Sequence, residues 1–408
     1  MASPNRPVPA AFPWADPLFT YGVTGTNGKT STCAFISACL HAAGRKVLTV
    51  GTTGAFINGE EQVKGKTFDE FTALIERSKD EGCRDIVIET TSYGLKIGYA
   101  QKWRFDLGVF TNLSPDHLKT HGTWEDYLAA KAQLFLHLGP GCPMILNAAD
   151  QYAMFIDRAT PEDVRRLRFH VPSRGPALAP ADLAATEVSV TAEGTVATLA
   201  PSELADALGG TLRTRMVGEV FAENALAAAL ACHATGISPD AIARGLAECE
   251  VVPGRFEVAS RDPVVVVDYA HTPDALERTC ATARRIASDR VIVVFGAGGG
   301  AMVKKRGPMG AAVAQGCDHA IITNDNPRRE DPAVIADMVA AGFRGIDGGA
   351  PFEIILDRRQ AIAHAIEMAK AGDVVVVAGR GHEQMQRVGT EDRPFSDREE
   401  VLRITAEG

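Results

Sequence analysis

Paired cysteines, long apolar runs and excess positive charge are all missing from this chain. Its eight cysteines stand singly, with no CxxC pair, which argues against a zinc site or a disulfide framework. Apolar runs such as Val374 to Ala378 have the size of a buried strand rather than a transmembrane helix. The formal net charge of −9 argues against nucleic acid or anionic membrane as the main partner. With prolines where a signal peptide needs its apolar core, the sequence predicts a cytoplasmic protein.

The 408 residues are 46% hydrophobic and 23% charged, which is enough for two or three domains, each with its own core. In the first half, apolar strands alternate with helical stretches, and this alternation predicts an α/β fold with a mostly parallel sheet covered by helices on both faces. The predicted strands are Phe19 to Val23, Lys46 to Thr52, Asp85 to Glu89 and Leu107 to Phe110, with helices over Ser31 to Ala43 and Phe68 to Gly82.

Near residues 184–217 the pattern changes to strict alternation around Ala192-Glu193-Gly194, which predicts a small β-hairpin. Two helices, Ala222 to Thr235 and Pro239 to Glu248, follow before Pro253-Gly254 breaks the pattern. We therefore expect domains over residues 1–253 and 254–408. The second begins again as α/β, with predicted strands at Val264 to Asp268, Val291 to Gly296, His319 to Thr323, Phe352 to Leu356 and Val374 to Ala378.

The segment GVTGTNGKTST, from Gly22 to Thr32, reads as a phosphate-binding loop between a strand and a helix. Glycines at 25 and 28 let backbone N–H groups turn toward phosphate oxygens, and Lys29 supplies a point charge for the outer phosphates. Thr30 offers a hydroxyl to Mg²⁺, and the helix N-terminus favours an anion. Val23 stands where the usual template has a first glycine, so this is a shortened variant. ATP with Mg²⁺ is the predicted cofactor pair.

A second glycine run, Gly296 to Gly300 (GAGGG), resembles a dinucleotide fingerprint. No acidic residue follows a clear second strand at the required distance, which disfavours NAD. We interpret this run as a backbone turn near a ligand.

Seven motifs in order resemble the Mur ligases, most of all their MurE branch, which adds the third residue of the peptidoglycan stem peptide. The similarity spans roughly residues 20 to 400 and is carried by TGTNGKTST, Glu89-Thr90-Thr91-Ser92, the stretch from Thr111 to Phe135, Gly254-Arg255-Phe256-Glu257, DYAHTPDALE from Asp268 to Glu277, Asp325-Asn326-Pro327-Arg328 and Gly379-Arg380-Gly381-His382-Glu383. It implies a P-loop ATPase central domain followed by a Rossmann-like C-terminal ligase domain. The activity implied is ATP-dependent, ADP-forming coupling of a small-molecule carboxylate to an amino acid through an acyl phosphate.

The resemblance also implies roles for individual residues at the ATP site. Lys29, Glu89, His117 and Lys131 match catalytic positions. Thr30, Glu89, His117 and Lys131 match the metal shell, where Lys131 would carry a carbamate that turns a cation into an anionic ligand. From sequence alone, Lys131 is a helix-surface lysine. The nucleotide contacts implied are Gly25, Thr26, Asn27, Gly28, Lys29, Thr30, Ser31, Asn112, Asn224, Arg255, Asp268 and His271.

The C-terminal domain of such ligases binds the amino acid. The Asp325–Arg328 sequence resembles the form that selects meso-diaminopimelate rather than lysine, because a guanidinium grips the distal carboxylate with two donors. Arg306 is predicted to hold the near carboxylate, and Glu383 to pair with an ammonium. The full set implied is Arg306, Asp325, Asn326, Arg328, Gly379 and Glu383.

Several features depart from a routine MurE pattern. The segment before Phe19 is too short for the family's uridine-nucleotide domain, and Glu89 to Leu95 reads ETTSYGL instead of a Ser-Ser-His-Ala-Leu form. Lys64 to Phe71 lacks the Thr-Thr-Pro run, Phe221 replaces an asparagine, and Gly300-Ala301-Met302 replaces Asp-Arg-Asp. We therefore expect a ligase for an acid not linked to UDP. The alternatives are a peptidoglycan ligase adding meso-diaminopimelate to UDP-MurNAc-dipeptide, with the missing domain supplied elsewhere, and a catalytically inactive ATP-binding homologue.

Overall fold

The structure is a computed structural model that describes residues 8–63, 65, 67–114, 121–300 and 303–407. These residues belong to two compact units. The first takes its residues from Met1–Ser189, Gly194–Arg215 and Glu219–Glu250, and the second from Val190–Glu193, Met216–Gly218 and Val251–Gly408. None of the helices in the described part of the chain combines the length and the hydropathy that a membrane crossing requires.

The first unit is built on one eleven-stranded sheet. Its strands are β1 Phe19–Thr24, β2 Val47–Gly51, β3 Gly54–Ile57, β4 Glu60–Gln62, β5 Asp85–Glu89, β6 Leu107–Phe110, β7 Pro143–Asn147, β8 Arg165–His170, β9 Leu183–Thr191, β10 Gly194–Leu199 and β11 Thr211–Thr214. Its described helices are α1 Lys29–Ala42, α2 Phe68–Asp80, α3 Ser92–Lys96, α4 Tyr99–Lys102, α5 Trp124–Leu136, α6 Gln151–Ala159, α7 Glu203–Ala207, α8 Glu219–Ala234 and α9 Pro239–Glu248, with 3₁₀ turns at Pro13–Ala15 and Pro172–Arg174.

Strand order places the loops that carry the predicted ATP-site residues of this unit side by side. The order is β11-β10-β9-β8-β7-β6-β1-β5-β2-β3-β4, and β1 pairs in parallel with both β5 and β6. Because parallel neighbours end at the same edge, the loop after β1 lies between the ends of β5 and β6. The predicted hairpin is confirmed as β9–β10, which continues this sheet rather than forming a separate element.

Helix α1 packs between the sheet and two other helices, α8 and α9. Twelve of the sixteen residues of α8 are buried, which fits a helix that is apolar on all sides. A Cβ on Gly245 of α9 would lie 2.5 Å from the Cα of Cys39, so only glycine permits this close approach to α1. The helix that carries the phosphate loop is thereby held on three sides.

The second unit has a six-stranded sheet in the order β12-β13-β17-β14-β15-β16. All pairs are parallel except β12 with β13. The strands are β12 Glu257–Arg261, β13 Val264–Asp268, β14 Val291–Phe295, β15 His319–Ile322, β16 Phe352–Ile354 and β17 Val374–Ala378, with a separate hairpin of β18 Met385–Val388 and β19 Glu391–Pro394. The helices are α10 Pro273–Ile286, α11 Arg306–Gly316, α12 Pro332–Arg344, α13 Arg358–Met368 and α14 Asp397–Glu407, with a 3₁₀ turn at Val303–Lys305.

Each unit has its own apolar core. In the second unit, Val267, Val294 and Val377 are fully buried and pack with Ile362 and other residues of α13 and α14. The carboxyl ends of β13, β14, β15 and β17 lead into the predicted Asp268, glycine-run, DNPR and GRGHE segments respectively. Parallel pairing therefore gathers four of the sequence motifs at one edge of this sheet.

Candidate functional site

Two glycines shape the phosphate loop between β1 and α1. Gly25 has φ +150° and Gly28 has φ +85°, conformations that residues with side chains rarely adopt. A Cβ on Gly25 would lie 1.9 Å from Oγ1 of Thr111, and one on Gly28 would lie 2.4 Å from Oδ1 of Asn224. The loop thus lies directly against the end of β6 and against α8, and both contacts require glycine.

Asn112 fixes this loop from the end of β6. Its backbone oxygen accepts a hydrogen bond from the N–H of Thr26 at 2.8 Å, and its side-chain oxygen accepts one from the N–H of Asn27 at 3.0 Å. Asn224 is buried, and its Nδ2 has no hydrogen-bond partner among the described residues. A buried amide donor next to the loop fits a bound phosphate or nucleotide oxygen, which would satisfy it.

Glu89 is the carboxylate at the end of β5, and it is buried beside the loop. Its Oε2 accepts hydrogen bonds from Oγ1 of Thr30 at 3.0 Å and from the hydroxyl and N–H of Thr52 at 3.0 and 3.1 Å. The ammonium of Lys29 lies 4.0 Å from Oε1 of Glu89 and donates to the backbone oxygen of Thr26 at 2.7 Å. Thr52 was not predicted, although its position directly after β2, the neighbour of β5, could have indicated it.

The donors gathered here fit Mg²⁺. A carboxylate and hydroxyl oxygens are hard ligands of the kind that this ion prefers, and Mg²⁺ commonly takes one or two carboxylates together with substrate phosphates. The described residues contain no group of three or more histidine, cysteine or acidic side chains arranged for a metal. His117, the other predicted ligand, lies outside the described residues.

From sequence alone Lys131 was expected on the surface of its helix, but the structure buries it. Its side chain is about 1% exposed, because α5 turns this face toward the phosphate loop. Nζ donates to the backbone oxygen of Gly25 at 2.6 Å and lies 4.5 Å from the centre of the Tyr127 ring. Tyr127 in turn shares a hydrogen bond of 3.1 Å with Thr26. Lys131 and Tyr127, one turn apart, therefore both contact the loop, and only the lysine was predicted.

The remaining predicted nucleotide residues lie in the second unit and cluster around Tyr269. The guanidinium of Arg255 lies 4.7 Å from the centre of that ring, and Nδ1 of His271 lies 2.7 Å from the backbone oxygen of Tyr269. Asp268 is one of the predicted nucleotide contacts, and its carboxylate already accepts several protein hydrogen bonds. They come from the N–H groups of Phe256 and Tyr269 and from the hydroxyl of Thr279.

Asp268 therefore organises the turn that carries Arg255. Phe256 has φ +46°, an unusual conformation for a residue with a side chain, and its N–H donates to Asp268 at 3.1 Å. Burial raises the pKa of the Asp268 carboxyl, although Thr279, Phe256 and Arg255 act in the opposite direction.

Four of the predicted amino-acid residues meet where β15 and β17 end. Nδ2 of Asn326 donates to Oε2 of Glu383 at 2.8 Å. A Cβ on Gly379 would lie 2.7 Å from Oδ2 of Asp325, so the segments that follow the two strands lie in direct contact. Burial raises the pKa of Glu383, an effect that Asn326 reduces by its hydrogen bond. Arg328 follows with φ +57°.

Arg306 was predicted to hold a substrate carboxylate, and the structure places it inside the protein. It is about 1% exposed, and Nη2 donates to Oε2 of Glu330 at 2.7 Å and to the backbone oxygen of Gly298 at 3.3 Å. The guanidinium thus links the glycine run to Glu330, two residues after the DNPR segment. Glu330 was not predicted.

The glycine run itself is a turn whose backbone packs against the DNPR segment. A Cβ on Gly296 would lie 2.0 Å from the backbone oxygen of Thr323, and one on Gly299 would lie 1.8 Å from that of Pro327. The glycines are required by this close backbone contact, which needs no dinucleotide to explain it.

Comparison with known proteins agrees with this arrangement. Residues 23–232 match the family model of the Mur ligase middle domain, and residues 254–381 match that of the Mur ligase glutamate ligase domain. The chain is 37% identical over 390 residues to the UDP-N-acetylmuramoyl-L-alanyl-D-glutamate–2,6-diaminopimelate ligase of Bacillus cereus, covering 94% of this chain and 77% of that protein.

Solved structures show the same relationship. A UDP-N-acetylmuramoyl-L-alanyl-D-glutamate–2,6-diaminopimelate ligase superposes with a TM-score of 0.66 at 31% identity, covering 96% of this chain and 79% of the other. A folylpolyglutamate synthase of Mycobacterium tuberculosis, complexed with ADP and AMPPCP, shares the fold with a TM-score of 0.71 at 19% identity, covering 90% of this chain and 89% of the other. The chain therefore belongs to the Mur ligase family and is an ATP- and Mg²⁺-dependent, ADP-forming amide ligase.

Proposed function

We propose that this ligase joins an amino group of 2,6-diaminopimelate to the glutamate carboxylate of UDP-N-acetylmuramoyl-L-alanyl-D-glutamate. The observation that carries the proposal is the hydrogen bond between Asn326, which follows β15, and Glu383, which follows β17. Arg328 lies two residues after Asn326 in the chain. A guanidinium and a carboxylate are together complementary to the carboxylate and ammonium at the distal end of a diamino diacid. The Bacillus cereus relative, at 37% identity, carries the same activity in its name.

The first chemical step brings two anions together, because the acceptor carboxylate attacks the γ-phosphate of ATP. The bond from that phosphorus to the bridging oxygen breaks, giving an acyl phosphate and ADP. Lys29 and the N–H groups of the glycine loop would stabilise the outer phosphates. Thr30 and Glu89 would hold Mg²⁺, which supplies the additional positive charge that this step needs.

In the second step, the free amine of the donor attacks the acyl carbon and inorganic phosphate leaves, which forms the amide. The role proposed for Glu383 is to hold the distal ammonium, while Arg328 holds the distal carboxylate. These contacts would orient the other amino group as the nucleophile. In this scheme the phosphate loop of residues 1–253 binds the ATP phosphates, and residues 254–408 bind the amino acid.

A second candidate function has the same amino donor, 2,6-diaminopimelate, and a different acid substrate. The segment after Glu89 places Tyr93, which is 59% exposed, in the first turn of α3. A large exposed side chain at this point, where the sequence departs from the related ligases, favours an acid other than the UDP-linked dipeptide. The names of the relatives favour the UDP-linked acid over this second candidate.

The test is ADP release from purified protein with ATP, Mg²⁺ and 2,6-diaminopimelate, comparing UDP-N-acetylmuramoyl-L-alanyl-D-glutamate with free acids and short peptides. Turnover with the UDP-linked acid, and an amide product of the expected mass, would support the first candidate. Turnover with free acids alone would support the second. Turnover with lysine equal to that with diaminopimelate would contradict the donor assignment in both.

A further inference from the structure

The hairpin β18–β19 lies beside the DNPR segment, and its contacts bear on how Arg328 is held. Among the described residues, the hairpin strands are paired with each other and with neither large sheet. β19 is exposed along its whole length, and Met385 on β18 is 44% exposed. Burial of apolar surface therefore does little to fix this hairpin, and its position depends on polar contacts.

Those polar contacts run to Asp325, Asn326 and Arg328. The backbone N–H of Arg328 donates a hydrogen bond to the backbone oxygen of Arg387 at 3.1 Å. The backbone oxygen of Arg328 accepts one from the N–H of Gly389 at 2.6 Å. The side-chain oxygen of Asn326 accepts from the N–H of Arg387 at 2.8 Å. Arg328 also forms an isolated parallel bridge with Val388. The backbone on both sides of the Arg328 side chain is thus bonded to β18 and to the turn after it.

One side chain completes this set. Nε2 of Gln386, on β18, donates to the backbone oxygen of Asp325 at 2.6 Å. The carboxyl group of Asp325 is buried, so the start of the segment is fixed while Arg328 sits at its far end. Gln386 is half-buried, whereas Gln384, two residues earlier, is exposed.

The conformation of Arg328 explains why such a restraint is needed. Its φ of +57° lies in the left-handed region, which residues with side chains rarely occupy. A backbone of this kind persists only where the surrounding structure determines it. In this unit, the hydrogen bonds from β18 and the turn after it hold the Arg328 backbone in this conformation. They thereby set the direction in which the Arg328 side chain points.

We propose that Gln386 is a positioning residue for donor specificity, which holds the DNPR segment on β18 so that Arg328 meets the distal carboxylate of the donor. This inference rests on the proposed function for the identity of the donor. It predicts that loss of the Gln386 amide weakens discrimination between a diamino diacid and a diamino monoacid, and leaves the ATP half of the reaction unchanged.

The experiment compares Gln386→Met with Gln384→Met, so that the same substitution is made at a bonded and at an exposed glutamine. For each protein, kcat and KM are measured with 2,6-diaminopimelate and with lysine, which lacks the distal carboxylate. In Gln386→Met we expect the ratio of the two kcat/KM values to fall about fivefold, the size expected for one lost hydrogen bond, with KM for ATP unchanged. A merely structural role would lower both activities together and leave the ratio as it was.

Hydrogen exchange provides a second measurement that needs no turnover. Peptides covering Asp325 to Glu330 should exchange faster in Gln386→Met than in wild type, and at the wild-type rate in Gln384→Met. An unchanged selectivity ratio would overturn the specificity role, whatever the exchange result. If wild type shows no turnover with diaminopimelate, the proposed function fails. The exchange result then still decides whether Gln386 holds the segment.

Discussion

At the scale of single residues, the most direct chemical role is the one proposed for Lys29. Its ammonium lies in the phosphate loop, bonded to the backbone oxygen of Thr26 and 4.0 Å from Glu89. We expect Lys29→Ala to reduce ADP formation about a thousandfold, because nothing else in the loop carries a positive charge to the phosphates. The measurement is ADP release at saturating ATP.

The matched control for this substitution is Lys46→Ala. Lys46 belongs to the same unit, and its ammonium donates to the backbone oxygen of Glu81 at an exposed position. It should retain full activity. Turnover by Lys29→Ala within tenfold of wild type would refute the assigned ATP site.

The role proposed for Glu383 predicts a pH dependence of the reaction with a definite sign. Burial raises the pKa of this carboxyl, and of the charged groups around it Asp325 and Asp397 raise it further while Arg380 lowers it. Glu383 therefore loses its charge at a higher pH than an ordinary glutamate. The proposed contact with the donor ammonium requires the ionised form, so KM for the donor should rise as pH falls through mildly acidic values, with KM for ATP little changed.

The variant that tests this is Glu383→Gln, which should lose the acidic rise and raise KM for the donor at neutral pH by about tenfold or more, as for a lost charge-assisted hydrogen bond. Glu391→Gln is the control, because Glu391 is exposed on β19 and pairs only with the nearby Arg393 in the described structure. An acidic rise that persisted in Glu383→Gln would show that another group causes it.

Individual residues differ in how well their surroundings could be predicted from sequence. The phosphate loop could be predicted from sequence because its glycines, lysine and threonine are recognised by their spacing along the chain. Thr52, Tyr127 and Glu330 could not be predicted, since each acts through a contact with a distant segment. The burial of Lys131 was also hidden, because a lysine on an amphipathic helix ordinarily faces solvent.

At the scale of elements, the glycine run after β14 shows how close backbone packing builds a site. Gly299→Ala would bring a Cβ to within 1.8 Å of the backbone oxygen of Pro327, and backbone cannot move as a flexible side chain does. We expect a loss of about 1–3 kcal/mol in stability, and a larger relative loss in kcat/KM for the donor than for ATP. Thermal unfolding and steady-state kinetics measure the two effects.

Gly345→Ala is a suitable control in the same unit. Its φ is −84°, and the nearest atoms to an added Cβ would lie at 3.6 Å, in ordinary contact. This variant should unfold within about a degree of wild type. If Gly299→Ala matched it in both stability and kinetics, the glycine run would have no part in shaping the donor site.

The elements that sequence predicted well are those fixed by burial. The strands Asp85–Glu89, Val264–Asp268 and Val374–Ala378 have the predicted bounds, because each is a short apolar run within a parallel sheet. The hairpin β18–β19 carries Gln, Arg, Glu and Asp instead, and polar contacts to the DNPR segment hold it. No hydrophobic periodicity indicates such a hairpin, which explains why the sequence predicts no role for Gln386.

At the scale of the whole molecule, the second unit has the features of an independently folding domain. Its sheet is buried in the middle, where Val266, Val293 and Val376 are fully buried, as are Val267 and Val294. Parallel strands β13, β17, β14 and β15 form the centre, and one antiparallel strand closes one edge. A unit of this size with its own core should unfold in one cooperative step.

We therefore predict that a fragment covering residues 251–408 folds without the rest of the chain. Circular dichroism should show mixed α/β structure and a single sigmoidal thermal transition. ADP release should be absent, since Lys29, Thr30 and Glu89 belong to the other unit. As a control, Val293→Asp would place a charge at a fully buried position of β14 and should abolish the transition. A fragment that lacked the transition even without that substitution would show that this core needs the first unit in order to form.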